Sequence, residues 1–308
     1  MIVQEVRAHL AKVVRMQQLP CSDVEVEPLP GTAKSGSTYV LFEWPEAWPR
    51  DVLGDNALGS ELTPKIAAHL DEYDASILLI RHPTREGRDI DDHHLYLVFA
   101  DEGVTEVLHV DGPEAILDLD LSGPGKNGAD TRDRPLLLIC THAKRDVCCA
   151  VKGRPVVNEL HKRHPFGPGN DVVWETSHIK GHRFAPTMLL MPWAYSFGRM
   201  NVEATDAMLA AATRGRYFVP GNRGRGTLGP VEQAAEIAVA TEVAGARYGE
   251  FDVAPARIDD TTATVHVTAS DAAYTVTLER RPVSGIVDSC GKEPKDGEAW
   301  VAVEVRRA

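Results

Sequence analysis

One segment restricts this chain more than any other: Cys140-Thr-His-Ala-Lys-Arg-Asp-Val-Cys148-Cys149, followed by Ser177-His178-Ile-Lys-Gly-His182-Arg. It offers soft sulfurs and imidazole nitrogens, a donor set that holds zinc or an iron–sulfur cluster. Any fold that uses it must bring the loop after residue 140 against the loop after residue 177. The apolar run Pro135-Leu-Leu-Leu-Ile139 reads as a buried strand that delivers Cys140 to a loop while a sheet fixes its base. The second thiol is Cys148 or Cys149, since spacing excludes neither. His178 and His182 would share a face on a helix, but Gly181 between them favours a loop that presents both rings.

The metal is open on chemistry alone. Structural zinc usually takes thiols two to four residues apart, and here the spacing is longer. Two cysteines on one iron and two histidines on the other is the Rieske arrangement, and its ligands come from separate loops. A catalytic zinc needs an open position, which four protein ligands do not leave. A [2Fe–2S] cluster, a structural zinc and no metal at all remain. The chain has five cysteines, an odd and unevenly spaced set, so no disulfide framework is expected.

Around this segment the sequence alternates strand and helix signals. Glu5 to Met16 has a helical pattern, and Leu19 to Ala33 is a Pro/Gly-rich link. Val40-Leu-Phe42 and Ile77-Leu-Leu-Ile80 read as buried strands, with a helix between them that Thr63 caps and Pro64 opens. Leu95 to Phe99 and Thr105 to Val110 flank a hairpin turn at Asp101-Glu-Gly103. Pro113 to Leu119 is a short helix. After the linker Ser122 to Gly128 the order repeats: strand to Cys140, helix from Pro155 to His164, strand Asp171 to Trp174, a hairpin around Pro192, and an Ala-rich helix from Val202 to Thr213.

This is the pattern of a degenerate internal duplication. Tyr39–Glu43 corresponds to Leu136–Cys140, and Arg81-His82 to Ser177-His178. The first copy has no cysteine in its loop and cannot carry the same centre. A mixed sheet covered by helices fits both copies. The last stretch differs. Arg223-Gly-Arg225-Gly reads as a loop and Pro230 to Ala244 as an amphipathic helix. Alternating runs at Thr262–Val267, Tyr274–Leu278 and Trp300–Val305 read as a small antiparallel subdomain without an evident role.

The chain of 308 residues is long enough for about two domains. A net charge of −12 argues against a nucleic-acid surface and suits plain solubility. No apolar stretch approaches the ~20 residues of a membrane span. The first residues lack a basic region followed by an apolar run. A cytoplasmic protein is expected.

Cys140-Thr-His142 with Arg145-Asp146-x-x-Cys149, then His178-x-x-Gly181-His182-Arg-Phe-Ala, resembles the sucrase/ferredoxin-like family. Gly31-Thr-Ala33, Glu43-x-Pro45-x-x-Trp48, and Gly224-Arg-Gly with Gln233-Ala-Ala-Glu236 are similar too, so the resemblance covers about residues 20 to 290. Pro186 departs from the family pattern. The resemblance implies thioredoxin-like ferredoxins with a bis-histidinyl [2Fe–2S] centre. The ligands it implies are Cys140, Cys149, His178 and His182, because the family pattern keeps eight residues between the thiols, which Cys148 does not match. The α/β fold expected is then a degenerate thioredoxin-like unit over 1–125, a cluster-bearing one over 130–220, and a C-terminal helix with antiparallel strands over 221–308. The function implied is one-electron transfer, coupled to a proton, to a redox partner such as a ferredoxin reductase or flavoprotein. A carrier is favoured over a stand-alone enzyme, and no pair of carboxylates points to sugar hydrolysis.

A structural-zinc binding module and a thiol-redox enzyme using Cys148 and Cys149 are the rival readings. Cys148 reads best as a small buried residue, and Cys21 and Cys290 as unligated. Trp174 should pack beneath the site. His93-His94, in an acidic stretch, should be solvated. Arg145 and Asp146 either pair to pin the loop or stand in solvent.

Overall fold

The computed structural model describes residues 19–167, 171–270 and 272–308. The helix expected over Glu5 to Met16 lies outside the described residues. Apolar runs bounded by turn residues form the centre of a ten-stranded sheet. Its first half holds β1 (Thr38–Glu43), β2 (Ala75–Arg81), β3 (His93–Phe99), β4 (Val104–Val110) and β5 (Asp130–Arg132). Its second half holds β6 (Leu136–Cys140), β7 (Val173–Thr176), β8 (Met188–Met191), β9 (Tyr195–Phe197) and β10 (Asn222–Arg225). The strand order is β10-β9-β8-β6-β7-β2-β1-β3-β4-β5.

The two halves repeat one topology, as the expected duplication requires. β1 runs parallel to β2 and antiparallel to β3, which pairs with β4. β6 runs parallel to β7 and antiparallel to β8, which pairs with β9. A short antiparallel contact between β2 and β7, Ile80 with Thr176 and Arg81 with Glu175, joins them edge to edge.

Both faces of the central strands are covered, which is why they read as continuous apolar runs. Alternation across the pleat sends Leu136, Leu138 and Cys140 to one face with Tyr39, Leu41, Ile80 and Trp174. On the other face, α1 (Thr63–Glu72) packs Ile66 and Leu70 on Val40, Phe42 and Leu79. There α2 (Val147–Arg163) and α3 (Val202–Thr213) pack Val157, Leu160 and Met208 on Leu137, Ile139 and Leu190. Beyond β10, α4 (Pro230–Glu242) lies on a second sheet of five strands, β11 (Phe251–Val253), β12 (Arg257–Asp259), β13 (Thr262–Ala269), β14 (Ala272–Ile286) and β15 (Lys295–Arg307).

Several local expectations are corrected. α2 begins at Val147, eight residues before Pro155, because Asp146 caps it there. Pro155 is tolerated inside the helix on an exposed side, where the Val151 carbonyl that loses its donor belongs to a residue 64% exposed. Thr63 does not cap α1; its hydroxyl accepts from the Leu58 N–H instead. Arg223-Gly-Arg225 is the edge strand β10 rather than a loop. His93 and His94 are buried in β3, held by the Glu43 carbonyl and the Glu43 carboxylate, and not solvated.

Candidate metal centre

The close approach of α2 to β6 places the first thiol pair. A Cβ on Gly153 would stand 2.3 Å from the Cys140 carbonyl oxygen, so only glycine lets the helix come this near. The capped first turn of α2 then carries Cys149 to Cys140. Both thiols are fully buried, and with a ring nitrogen of His178 they lie within 4.8 Å of one another. Cys140 is the member of the pair held toward thiolate. The hydrogen bond from Cys149 and the neighbouring His178 outweigh its burial, and the Cys149 thiol is pushed up correspondingly.

His178 is set by the first half of the sheet. The preceding Ser177 donates its N–H to the Leu79 carbonyl, and its hydroxyl accepts from the Leu79 N–H. The chain then turns through the left-handed conformation at Lys180 and Gly181. A side chain at Gly181 would collide with the guanidinium of Arg223, 2.4 Å away. Arg223 is buried and bonded to Thr32, and burial, reinforced by nearby Arg183, lowers its pKa to about 9.

This turn brings the His182 ring to 5.4 Å from that of His178, centre to centre. His182 is outside the tightest group of three, yet next to it. Its Nε2 lies 2.7 Å from the Ser289 hydroxyl and 3.6 Å from an Asp146 oxygen. Burial lowers the His182 pKa, against the pull of Asp146. Nδ1 of His178 and Nδ1 of His182 are buried without a hydrogen-bond partner among the described residues. Both atoms are therefore free to ligate a metal, as are the two ring nitrogens of the nearby His142, which are buried and unpartnered among the described residues as well. Two sulfurs and the His178 imidazole are thus placed to hold a metal, with the His182 ring beside them. A cleft of about 260 Å³ opens on His178 and is rimmed by Lys34, Arg50, His142 and Arg145.

A second group stands beside the first. Cys21, Asp146, Cys148 and Cys290 offer ligand atoms that all lie within 4.8 Å of one another. Cys148 and Cys149, adjacent in sequence, thus turn to different partners. Asp146 links this group to His182, 3.6 Å away: it caps α2 through the Cys148 N–H at 2.9 Å and accepts the Cys290 N–H at 3.0 Å. Its carboxyl stays ionised below the usual range, because those N–H bonds and His182 outweigh its burial.

Ser289 and Cys290 lie in the turn between β14 and β15, so the C-terminal sheet reaches back to the centre. Sequence reading missed this turn, as well as the Asp146 link. The available signal was a count of three cysteines left unassigned. Arg145 makes no ion pair with Asp146 among the described residues; Trp174 is fully buried in the core that contains Cys140 and Cys149, as expected.

The Gly224, Gln233 and Glu236 similarity has a structural explanation. A Cβ on Gly224 would meet the Gln233 side chain at 2.6 Å. Gln233 donates to the carbonyls of Arg225 and Leu228, and Glu236 pairs with Arg225 at 2.7 Å and accepts from Tyr195. These contacts lock α4 to the sheet edge.

No helix among the described residues is long and apolar enough to cross a membrane. No curated protein and no solved structure matches this chain. The sucrase/ferredoxin-like family model matches residues 29–224 and stops short of the C-terminal helix and sheet, which the resemblance had been expected to include. That match takes in both halves of the large sheet and more than half of the residues, and the chain belongs to the sucrase/ferredoxin-like family.

Proposed function

We propose that this chain is a one-electron carrier whose [2Fe–2S] cluster is held by Cys140 and Cys149 on one iron and His178 and His182 on the other. The observation that carries the reading is the meeting of two buried thiols with His178, next to His182, with both Nδ1 atoms unpartnered. When bound, such a cluster takes up and returns a single electron, at a potential above that of an all-cysteine ferredoxin because neutral imidazoles replace thiolates.

The protein's own groups hold the ligands in place. Nε2 of His182 lies 2.7 Å from Ser289 Oγ, and with Nε2–H as the donor this contact would hold the tautomer that leaves Nδ1 free for iron. Nε2 of His182, between Ser289 Oγ and Asp146, is the atom that would give up its proton to solvent in the oxidised protein and take it back with the electron. Cys140 and Cys149 lie in the apolar core beside Trp174, which excludes water from the sulfur side. His178 borders the cleft, and the cationic rim of Lys34, Arg50 and Arg145 suits an acidic face of a ferredoxin reductase or flavoprotein in the cytoplasm.

The two halves are read as thioredoxin-like units, over 1–125 and 130–220, with 221–308 as a separate C-terminal segment. Their shared strand order supports this.

The test is anaerobic purification with iron and acid-labile sulfide analysis. Two irons, two sulfides and visible absorption per chain are expected, with a midpoint potential that falls with pH between about 6 and 10. Zinc at Cys140 with no iron after anaerobic reconstitution overturns the carrier reading; a flat potential overturns the proton coupling alone.

A further inference from the structure

The three cysteines that the cluster does not use come from places far apart in the chain. Cys21 lies in the 3-10 turn Cys21–Asp23, Cys148 in the first turn of α2, and Cys290 in the β14–β15 turn. Their sulfurs form a triangle with edges of 3.2 Å (Cys148–Cys290), 3.6 Å (Cys21–Cys148) and 3.6 Å (Cys21–Cys290). A tetrahedral ion with metal–sulfur bonds of about 2.3 Å holds its sulfurs about 3.8 Å apart, close to these edges. The separations are well beyond the ~2.05 Å of a disulfide, and an odd thiol would be left over in any case.

The fourth corner is present as well. The Asp146 carboxylate oxygens lie 3.8 and 3.9 Å from Cys21 Sγ. Ala185 and Val287 pack around the thiols, so Cys21 and Cys148 are shut from solvent while Cys290 is part-exposed and offers the entry side. Cys148 sits in the capped first turn of the 17-residue α2, and the Cys21 N–H donates to Cys290 Sγ at 3.4 Å.

We propose that Cys21, Cys148, Cys290 and Asp146 form a structural zinc site, separate from the cluster ligands. Three thiolates and one carboxylate complete a closed tetrahedron, which marks a structural rather than a catalytic ion. Binding releases the thiol protons to solvent, so the bound ion replaces three protons. The ion clamps the segment before β1, the start of α2 and the C-terminal hairpin into one unit. It thereby holds Ser289, the neighbour of Cys290, against His182. This site does not depend on the iron–sulfur reading.

Metal analysis of the full chain, purified anaerobically without chelator, tests it. One zinc per chain is expected alongside any iron. Cys21→Ser and Cys290→Ser should each lower zinc several-fold and leave the visible chromophore, whereas Cys140→Ser should lose iron and keep this zinc. Cobalt added to metal-free wild-type protein should give the intense visible bands of a tetrahedral thiolate site, which keeps the test valid should a variant fail to fold. The proposal is overturned by wild-type protein that binds neither zinc nor cobalt. Zinc unchanged in both folded serine variants overturns it too, as does a Cys148–Cys290 disulfide in the anaerobic protein.

Discussion

Glu43 and Cys140 occupy the same position in the two halves of the large sheet. Each ends the strand that pairs in parallel with the next, Glu43 in register with Ile80 and Cys140 with Thr176. Two residues past each partner stands a histidine, His82 in one half and His178 in the other. The first half has kept the backbone and the imidazole but not the sulfur. In place of a metal ligand it holds a polar knot: Glu43 is fully buried and pairs with Arg85 at 2.8 Å and His94 at 2.7 Å. His82 is packed against Phe166 and Trp174, and burial, with His161 close by, lowers its pKa to about 4.

Glu43→Ala should therefore unfold the chain more readily than any surface substitution. Removing one member of a buried ion pair leaves the others uncompensated, a loss of about 3–5 kcal/mol. Burial pushes the Glu43 pKa up, but the bonds from His94 and Arg85 prevail and hold it below the usual range. Its contribution is present above the ordinary glutamate pKa of about 4.3 and is lost as pH falls through the lower folded value. Urea midpoints measured at neutral pH and at decreasing acid pH should converge for wild type and variant. A gap that stays constant with pH would remove Glu43 from the account.

Single cysteine changes separate the two thiol groups. Cys140→Ser and Cys149→Ser should abolish the visible chromophore, because each removes a ligand from the buried pair. Cys148→Ser should retain it, because that sulfur faces Cys21 and Cys290. His178→Cys should keep a cluster but shift its midpoint potential downward, since a thiolate adds negative charge. Absorption spectra and redox titration of anaerobically prepared variants give the answer.

The sheet halves were legible because central strands leave strong traces. Leu136–Cys140 and residues 77–81 are buried on both faces, and a run of apolar residues ended by a polar or sulfur residue marks them plainly. Spacing alone left Cys148 and Cys149 as alternatives; the resemblance implied Cys140, Cys149, His178 and His182, of which Cys140, Cys149 and His178 lie together. The start of α2 was misread because Pro155 is a stronger local signal than Asp146, although the cap prevails when the proline faces solvent. His93 and His94 were misread because their neighbours Asp91 and Asp92 are charged, while the pairing with Glu43 is a long-range event. The Cys21, Cys148 and Cys290 group was hidden for the same reason: nothing local links residues separated by 127 and 142 positions.

Gly153→Ala tests whether helix–strand contact sets the thiol pair. Alanine is the better helix former by about 1 kcal/mol, so an isolated helix would gain. Here the added methyl would meet the backbone oxygen of Cys140 at 2.3 Å. α2 must move away, and overpacking of this kind costs about 1–3 kcal/mol. The variant should show a lower urea midpoint and reduced iron retention, with helical content by circular dichroism unchanged. A stabilised variant with full iron content would show that the close approach is not what positions Cys149.

Ser289→Ala tests the reach of the C-terminal hairpin. Ser289 Oγ lies 2.7 Å from Nε2 of His182, while Asp146 stands farther off at 3.6 Å. Loss of the hydroxyl leaves the imidazole free to change tautomer and orientation, and removal of such outer contacts typically weakens metal affinity by about 10- to 100-fold. Iron should leave the variant faster than the wild type when a chelator is added, and Ser289→Thr, which keeps the hydroxyl, should restore the wild-type rate. The pH range over which the midpoint potential falls should also shift in the alanine variant, because the Nε2 proton has lost its nearest hydrogen-bond partner. A purely structural role for the turn would lower thermal stability in both variants and leave that range unchanged.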